Sequence, residues 1–401
     1  MNMRRREFLK TVALSPLAAA AVERGVYAAS PANSTIQLPN YRGPNIILVR
    51  FGGGVRRRET IDPQHSYCRF FLNELVPRGT FYPRMTIDQF QDINTSHGEG
   101  TLYIATGKYE KFKGIGQKIG DKKFLDARFE ASVPTVFEYL RAAYNVPEHQ
   151  TLIVNSEDRG DEEFYNFSNH HLYGAQFKSN TLSLRRFKTW LLRKQIAEGR
   201  FDDKKAAKKR QDLRKMESID YRHEETDGQV AELQEFWRRW AEYYGESGFV
   251  NPRGDRLLTT LAIRAMRELR PRLMMINYTD PDYVHWGNPH HYTQAIAIID
   301  QELEKLDAAI RNDPNYCDNT VFVIVPDCGR DSNPYTAVPF QHHFNSRSAH
   351  EIFALFVGPG IDRGAVVDKP VDQIQVASTI GKLMKVPTPH ADSRLLEEVF
   401  A

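Results

Sequence analysis

The strongest constraint on the fold is a set of short apolar runs, each closed by glycine or a polar residue. The clearest are NIILVRF at residues 45–51, TVFVIVP at residues 320–326 and EIFALFV at residues 351–357. Strands covered on both faces have nearly continuous apolar sequences, whereas strands with one solvated face alternate. These runs therefore predict a central sheet buried between two layers.

The segments between these runs have helical spacing. Residues 134–147 place Val136, Leu140 and Tyr144 on one helical face, and a strand-like run follows at residues 149–156. Residues 292–310 form a second amphipathic pattern ahead of the run at residue 320. Strands that alternate with helices are typical of a mainly parallel sheet with crossover helices. The predicted fold class is α/β.

The middle of the chain has a different composition. From residue 184 to about residue 250 it is dense in Lys, Arg, Glu and Trp and has few strand signals. This pattern predicts a helical insertion with a charged outer face, set within one domain over residues 30–401. A basic surface that faces an anionic polymer or a membrane is the alternative interpretation of the same segment.

The amino terminus resembles a twin-arginine export signal. Arg5 and Arg6 open the stretch RREFLK, and an apolar segment over residues 12–22 leads to Ala28 and Ala29. That segment is too short to span a bilayer, which needs roughly 20 apolar residues. Residues 1–29 are therefore predicted to direct export to the periplasm or beyond, and no later segment predicts a transmembrane helix.

The net charge gives no indication of a nucleic-acid partner. The whole chain carries +3, and residues 1–29 contribute five basic and two acidic residues, which is the same +3. The remainder is therefore neutral, so it lacks the basic excess that favours nucleic acid. We therefore expect no nucleic-acid partner and no membrane span.

The chain has three cysteines, Cys68, Cys317 and Cys328. Three are too few for a disulfide framework. In an oxidising compartment Cys68 and Cys317 can pair and leave Cys328 free.

Four polar clusters follow predicted strands, where the carboxyl ends of parallel strands share one crevice. In TDPDYVHWG, Asp280, Asp282 and His285 follow the strand at residues 272–280, and Asp and His are ligands that zinc accepts. FQHHFNSRSAH adds His342, His343 and His350. The clusters occupy residues 50–54, 94–107, 280–291 and 327–350.

Five segments in order resemble the alkaline phosphatase superfamily, which includes sulfatases, nucleotide pyrophosphatases and cofactor-independent phosphoglycerate mutases. NIILVRFGGG is similar to the family's first strand, and SHGEGTLYIATGKY resembles its nucleophile helix. PDYVHWGNPHHYTQAIAIIDQEL resembles its Asp/His loop and following helix. TVFVIVPDCGRD and SAHEIFALFVGPGI resemble the segments that carry its last metal ligands. The resemblance implies a three-layer sandwich with a mainly parallel sheet, interrupted here by the charged insertion.

For one metal position the resemblance implies three ligands. They are Asp282, His285 and His350. Asp282 is one residue closer to His285 than in the family's usual spacing, so Asp280 is a substitute ligand.

For the second metal position the resemblance implies Asp327 with three departures from the family pattern. The first-strand aspartate is replaced by Gly52, the nucleophile by His97, and the histidine after Asp327 by Cys328. Two divalent ions close together repel each other, and anionic ligands must offset that repulsion. A conventional two-metal phosphatase site is therefore not expected.

The sequence leaves two functions open. In the first, His97, Asp327 and Cys328 form a softer site that suits zinc. Ser96, Thr95 or a water activated by one or two zinc-like ions is then the nucleophile, and Arg50, Gly52 and Arg330 bind the substrate. The resemblance implies hydrolysis of phosphate, sulfate or phosphonate esters. In the second, the fold persists as a non-catalytic binding or scaffold protein of the cell envelope.

Overall fold

The computed structural model describes most of the chain after residue 37, and the predicted signal segment at residues 1–29 lies outside the described residues. Described are residues 38–88, 95–109, 113–115, 128–155, 173, 175–217, 230–246, 254–285, 288–332, 340–342 and 346–400.

Strands lie where the apolar runs predict them, and additional strands lie elsewhere in the chain. They are β1 Asn45–Phe51, β2 Gly79–Thr86, β3 Lys113–Ile115, β4 Arg128–Glu130, β5 Thr151–Asn155, β6 Asn180–Ser183, β7 Leu273–Asn277, β8 Thr320–Pro326, β9 Glu351–Val357, β10 Ala365–Val366 and β11 Val371–Asp372.

Nine of these strands form one sheet in the order β10-β2-β9-β8-β1-β7-β5-β6, with β11 also paired to β2. The pairs β8–β1, β1–β7, β7–β5 and β5–β6 are parallel. Strand β9 is antiparallel to both β8 and β2. The prediction of a mainly parallel sheet is confirmed, and the antiparallel β9 brings its amino end to the edge where β1, β7 and β8 have their carboxyl ends.

Helices lie between the strands of the sheet. Most begin at a recognisable N-cap: Ser96 accepts a hydrogen bond from the Glu99 N–H, and Thr135 forms a capping box with Glu138. The helices are α1 Arg57–Thr60, α2 His97–Thr106, α3 Val136–Ala143, α4 Leu184–Ala197, α5 Asp203–Glu217, α6 Ala231–Tyr244, α7 Asp255–Leu269, α8 Pro289–Arg311, α9 Arg347–His350 and α10 Gln375–Leu383.

Both faces of the sheet are covered, as a three-layer sandwich requires. Alternate residues of β1 belong to two separate apolar clusters. Ile47 and Val49 join the cluster that includes α7 and α8, whereas Ile46 and Leu48 join the cluster that includes α2, α3 and α10. Successive side chains of a strand point to opposite faces of the sheet, so the even-numbered positions of β1 lie on the face covered by α2, α3 and α10, here called the α2 side.

Helices α4, α5 and α6 fall within the predicted insertion. Their inner faces carry aromatic rings: Phe187 contacts Trp190, Trp237 and Tyr244 with ring centroids 5.6–6.1 Å apart. The indole N–H of Trp190 donates a hydrogen bond to Gln234. The tryptophans therefore pack the insertion. Of the described helices, none combines the length and the apolar character that a membrane span requires.

All three cysteines are free thiols in the structure. The pairing of Cys68 with Cys317 that an oxidising compartment would allow is therefore not formed. Cys68 and Cys328 are buried, and Cys317 is partly exposed.

Helix α7 is joined to the end of β7 by two carboxylates, the buried Asp255 and the partly buried Asp280. Asp255 accepts hydrogen bonds from the N–H groups of Thr279 and Asp280, and Asp280 accepts one from the N–H of Asp255. Burial, and then the charge of Asp280, raise the pKa of Asp255 well above its ordinary value. The ionised form of Asp255 is therefore costly in the folded protein.

This pair predicts a pH dependence of stability. A carboxyl group whose pKa is raised by folding stabilises the protein below its unfolded pKa of about 4, and that contribution is lost as the pH rises through the folded pKa. We expect the chelator-treated protein with Asp255→Asn to gain stability relative to wild type as the pH rises from about 4. Urea unfolding at several pH values measures this, and parallel stability curves for the two proteins would contradict it.

Candidate functional site

The centre of the site is Asp282, on the 3₁₀ segment Asp280–His285 that follows β7. Residues i and i+3 share one face of a 3₁₀ helix. The local backbone therefore aims Asp282 and His285 in the same direction, and Asp282 Oδ1 lies 2.8 Å from His285 Nε2. The side chain of Asp282 is 27% exposed, so the site is open to solvent.

Two further imidazoles point at the same carboxylate oxygen. His97, at the first turn of α2, places Nε2 at 2.8 Å from Asp282 Oδ1, and His342 places Nε2 at 3.5 Å. The ring of His342 lies between the others, with centroids 4.3 Å from His97 and 4.9 Å from His285. Three ring nitrogens from three separate segments thus converge on one oxygen.

In His97 and His342 the second ring nitrogen, Nδ1, contacts another group of the protein. Nδ1 of His97 lies 2.8 Å from Asp327 Oδ2, and Nδ1 of His342 lies 2.6 Å from the carbonyl oxygen of Thr95. The hydroxyl of Thr95 in turn donates to the carbonyl of His342. Acceptors at Nδ1 hold a proton there and leave Nε2 as a lone-pair donor, which is how metal-binding histidines are usually oriented.

The pKa values of the site residues are set by carboxylates and imidazoles that are buried next to each other. Burial acts to raise the pKa of Asp282, but His97, His285 and His342 outweigh it and the pKa falls. Burial acts to lower the pKa of His97, but Asp282 and Asp327 outweigh it and the pKa rises well above its ordinary value. In the absence of a metal ion, His97 is therefore a cation held between two carboxylates.

Asp327, directly after β8, is fully buried and held from several sides. Its Oδ1 accepts from the N–H groups of Gly54 and Cys328 at 3.2 and 2.8 Å, and its Oδ2 accepts from the Gly53 N–H at 3.4 Å. Burial acts to raise the pKa of Asp327, but His97 and Arg50 outweigh it and the pKa falls to about 2. Asp327 is therefore ionised at neutral pH.

Cys328 is buried within the apolar cluster on the α2 side of the sheet. Burial and the adjacent Asp327 raise the pKa of its thiol to about 12. A neutral thiol is a weak ligand, since the thiolate is the form that binds metal. In the absence of a metal ion Cys328 is therefore a neutral thiol, at the position where the resemblance implies a histidine ligand.

Two fully buried arginines complete the site. Arg330 Nη2 lies 3.1 Å from Asp282 Oδ1, and Arg330 also donates to the carbonyls of Gly53, Gly54 and Phe340. The guanidinium of Arg50 lies 3.6 Å from Asp327 Oδ2.

Three other predicted site residues have their described contacts elsewhere. Ser96 caps α2 by accepting from the Glu99 N–H at 3.3 Å, and Asp280 binds the backbone of Asp255. His350 places Nδ1 at 2.7 Å from the carbonyl of Ile87 and belongs to neither group of potential metal ligands. The third imidazole is instead His342, from the same histidine-rich segment.

Two groups of described residues can hold a cation: His97, Asp282, His285 and His342, and separately His97, Asp327 and Cys328. Ligand atoms within each group lie no more than 4.8 Å apart. The first group fits a zinc-like ion, because three imidazoles and one carboxylate are a zinc donor set. His97 Nε2 is also buried and makes no hydrogen bond of good geometry within the described residues.

No protein-family model and no curated protein sequence matches the chain. Solved structures do match it in fold. A protein in the alkaline phosphatase superfamily from Vibrio parahaemolyticus is 13% identical with a TM-score of 0.52, covering 90% of this chain and 74% of that one. The lipoteichoic acid synthase LtaP from Listeria monocytogenes is 10% identical with a TM-score of 0.51, covering 88% and 76%.

A third solved structure, BT1596, a 2-O GAG sulfatase, is 11% identical with a TM-score of 0.51, covering 90% of this chain and 74% of that one. At such identities the likeness concerns the path of the backbone. The chain therefore has the fold of the alkaline phosphatase superfamily, in a sequence that is 10–13% identical to these solved examples.

Proposed function

We propose that the protein is a metal-dependent hydrolase of a small anionic ester, a phosphate, sulfate or phosphonate. The observation that carries the proposal is the convergence of His97, His285 and His342 on Asp282 Oδ1. These four residues would hold one zinc-like ion. When bound, such an ion supplies a Lewis acid that polarises an ester oxygen and favours attack by water.

The chain's own residues orient this donor set. Asp327 holds the proton on Nδ1 of His97, and the Thr95 carbonyl holds the proton on Nδ1 of His342. Both rings therefore present Nε2 toward Asp282. Removal of such supporting groups usually lowers metal affinity or activity about 10- to 100-fold.

Arg330 gives the site its preference for an anion. It is fully buried, its guanidinium is fixed by backbone carbonyls, and its Nη2 lies 3.1 Å from Asp282 Oδ1. A fixed cation of this kind attracts a negatively charged ester without reorganising. Water is the proposed nucleophile, because the Ser96 hydroxyl is used to cap α2.

The test is elemental analysis and turnover of the full chain purified without chelators. We expect about one zinc-like ion per chain and hydrolysis of an aryl phosphate, sulfate or phosphonate. His342→Ala should lose both the ion and the activity, whereas the matched variant His350→Ala should keep the ion. A metal-free protein that is inert on all three esters would contradict the proposal.

One observation favours a second candidate, a non-catalytic binding protein of the cell envelope. The carboxylates Asp282 and Asp327 each have a buried arginine within 4 Å. The negative charge of both carboxylates is therefore offset without a metal ion. This candidate predicts the metal-free and inert outcome of the same experiment. Export through the twin-arginine route, from residues 1–29, is part of either proposal.

A further inference from the structure

Arg50 occupies an unusual place for a charged side chain. It lies in the fully buried strand β1, and its guanidinium is enclosed at the carboxyl end of the sheet. Nη1 donates to Thr101 Oγ1 at 2.8 Å and Nη2 to the Tyr278 carbonyl at 3.2 Å. These contacts fix the cation between β1, helix α2 and the segment after β7.

The backbone of Gly52 makes room for this guanidinium. A Cβ atom at Gly52 would lie 2.0 Å from the carbonyl oxygen of Tyr278 and 3.0 Å from both Nε and Nη2 of Arg50. No side chain fits at this position without a backbone shift. The space where the resemblance implies a ligand carboxylate is therefore filled by the cation of Arg50.

The oxygens of Asp327 are already engaged beside that cation. Oδ1 accepts two backbone N–H groups. Oδ2 faces the Gly53 N–H, His97 Nδ1 and, at 3.6 Å, Arg50 Nη1. A carboxylate offers about four lone-pair positions. Few lone pairs of Asp327 therefore remain for a metal ion. An ion bound there would also be repelled by the fixed positive charge of Arg50.

We propose that the guanidinium of Arg50 is a built-in cation that takes the place of a second metal ion beside Asp327. The second group of potential ligands, His97, Asp327 and Cys328, consequently holds no ion, and the site is mononuclear. That one ion is bound at Asp282 rests on the proposed function. That no ion is bound beside Asp327 rests instead on Arg50 and on the contacts of Asp327.

The experiment titrates metal-stripped protein with Co²⁺ and records both the ions bound per chain and the thiolate–cobalt absorption band. Wild type should show no thiolate–cobalt band. Arg50→Met, which removes the charge but keeps an unbranched chain, should bind one ion more than wild type and acquire that band.

Arg50→Lys should bind as many ions as wild type. Arg78→Met, which removes a cation paired with Asp307 elsewhere, is the matched control and should also leave the count unchanged.

Failure of the two proposals gives different results. A wild type that binds no ion, together with an Arg50→Met variant that gains one, contradicts the proposed hydrolase and supports the role of Arg50. An Arg50→Met variant that folds and gains no ion overturns the role of Arg50. Should that variant not fold, Cys328→Ser serves instead: an unchanged ion count supports the inference, and loss of one ion overturns it.

Discussion

Replacing Asp282 by Asn should lower the affinity for a zinc-like ion more than 100-fold and remove hydrolytic activity. The carboxylate oxygen Oδ1 is the point on which His97, His285 and His342 converge. The amide keeps the shape of the side chain but removes the only negative charge of that donor set. Loss of an outer supporting group usually costs 10- to 100-fold, so loss of the central donor should exceed that range.

The measurement is competition for the metal against a chelator of known affinity, alongside ester turnover. Asp280→Asn is the matched control, because Asp280 is two residues away and its carboxylate binds the backbone of Asp255 instead. It should bind the metal as wild type does. Equal affinities for the two variants would show that Asp282 is not the centre of the site.

Gly100→Ala should destabilise the protein by about 3 kcal/mol, the upper part of the range for overpacking a tight interior. Gly100 lies in the middle of α2, where helix propensity alone favours alanine by about 1 kcal/mol. However, a Cβ atom there would lie 2.0 Å from the carbonyl oxygen of Asp327. Helix α2 would have to move away from the end of β8, and His97 would move away from Asp327.

Urea unfolding monitored by tryptophan fluorescence checks this expectation. Gly199→Ala is a useful comparison, since Gly199 has a positive φ of 65° but no atom within 4 Å of the added carbon. That variant should lose only about 1 kcal/mol through the left-handed backbone. A Gly100→Ala protein as stable as wild type would refute the close contact between α2 and β8.

The layers of the fold were predictable from local sequence, because buried strands have apolar runs whose length and composition differ from helical patterns. Strands β1, β8 and β9 confirm this directly. The antiparallel placement of β9 between β2 and β8 was not predictable, because β2 contains polar residues and has no distinct apolar run. Strand order depends on long-range pairing that no local pattern records.

The site was predictable where ligands share a local segment. Asp282 and His285 are close in sequence, so a single turn brings them together. His342 was harder to choose over His350, because its orientation is set by Thr95, far away in the chain. His350 makes the same kind of contact with the carbonyl of Ile87, but it belongs to neither group of potential ligands. Such long-range contacts decide which histidine of a histidine-rich segment faces the site.

The orientation of Arg50 illustrates the same limit. Strand alternation places residue 50 on the α2 side, together with Ile46 and Leu48. Whether a buried arginine there contacts a substrate or another protein group depends on partners such as Thr101 and Tyr278. Sequence gives the face of the strand, and only the packed structure gives the partner.

The imidazole of His97 belongs to both groups of potential ligands, one through each ring nitrogen. A change on either side alters the protonation of the ring, and therefore the chemistry of the other side. Asp327 and Asp282 are thus coupled through one ring, so the effects of substitutions at the two positions should not be additive.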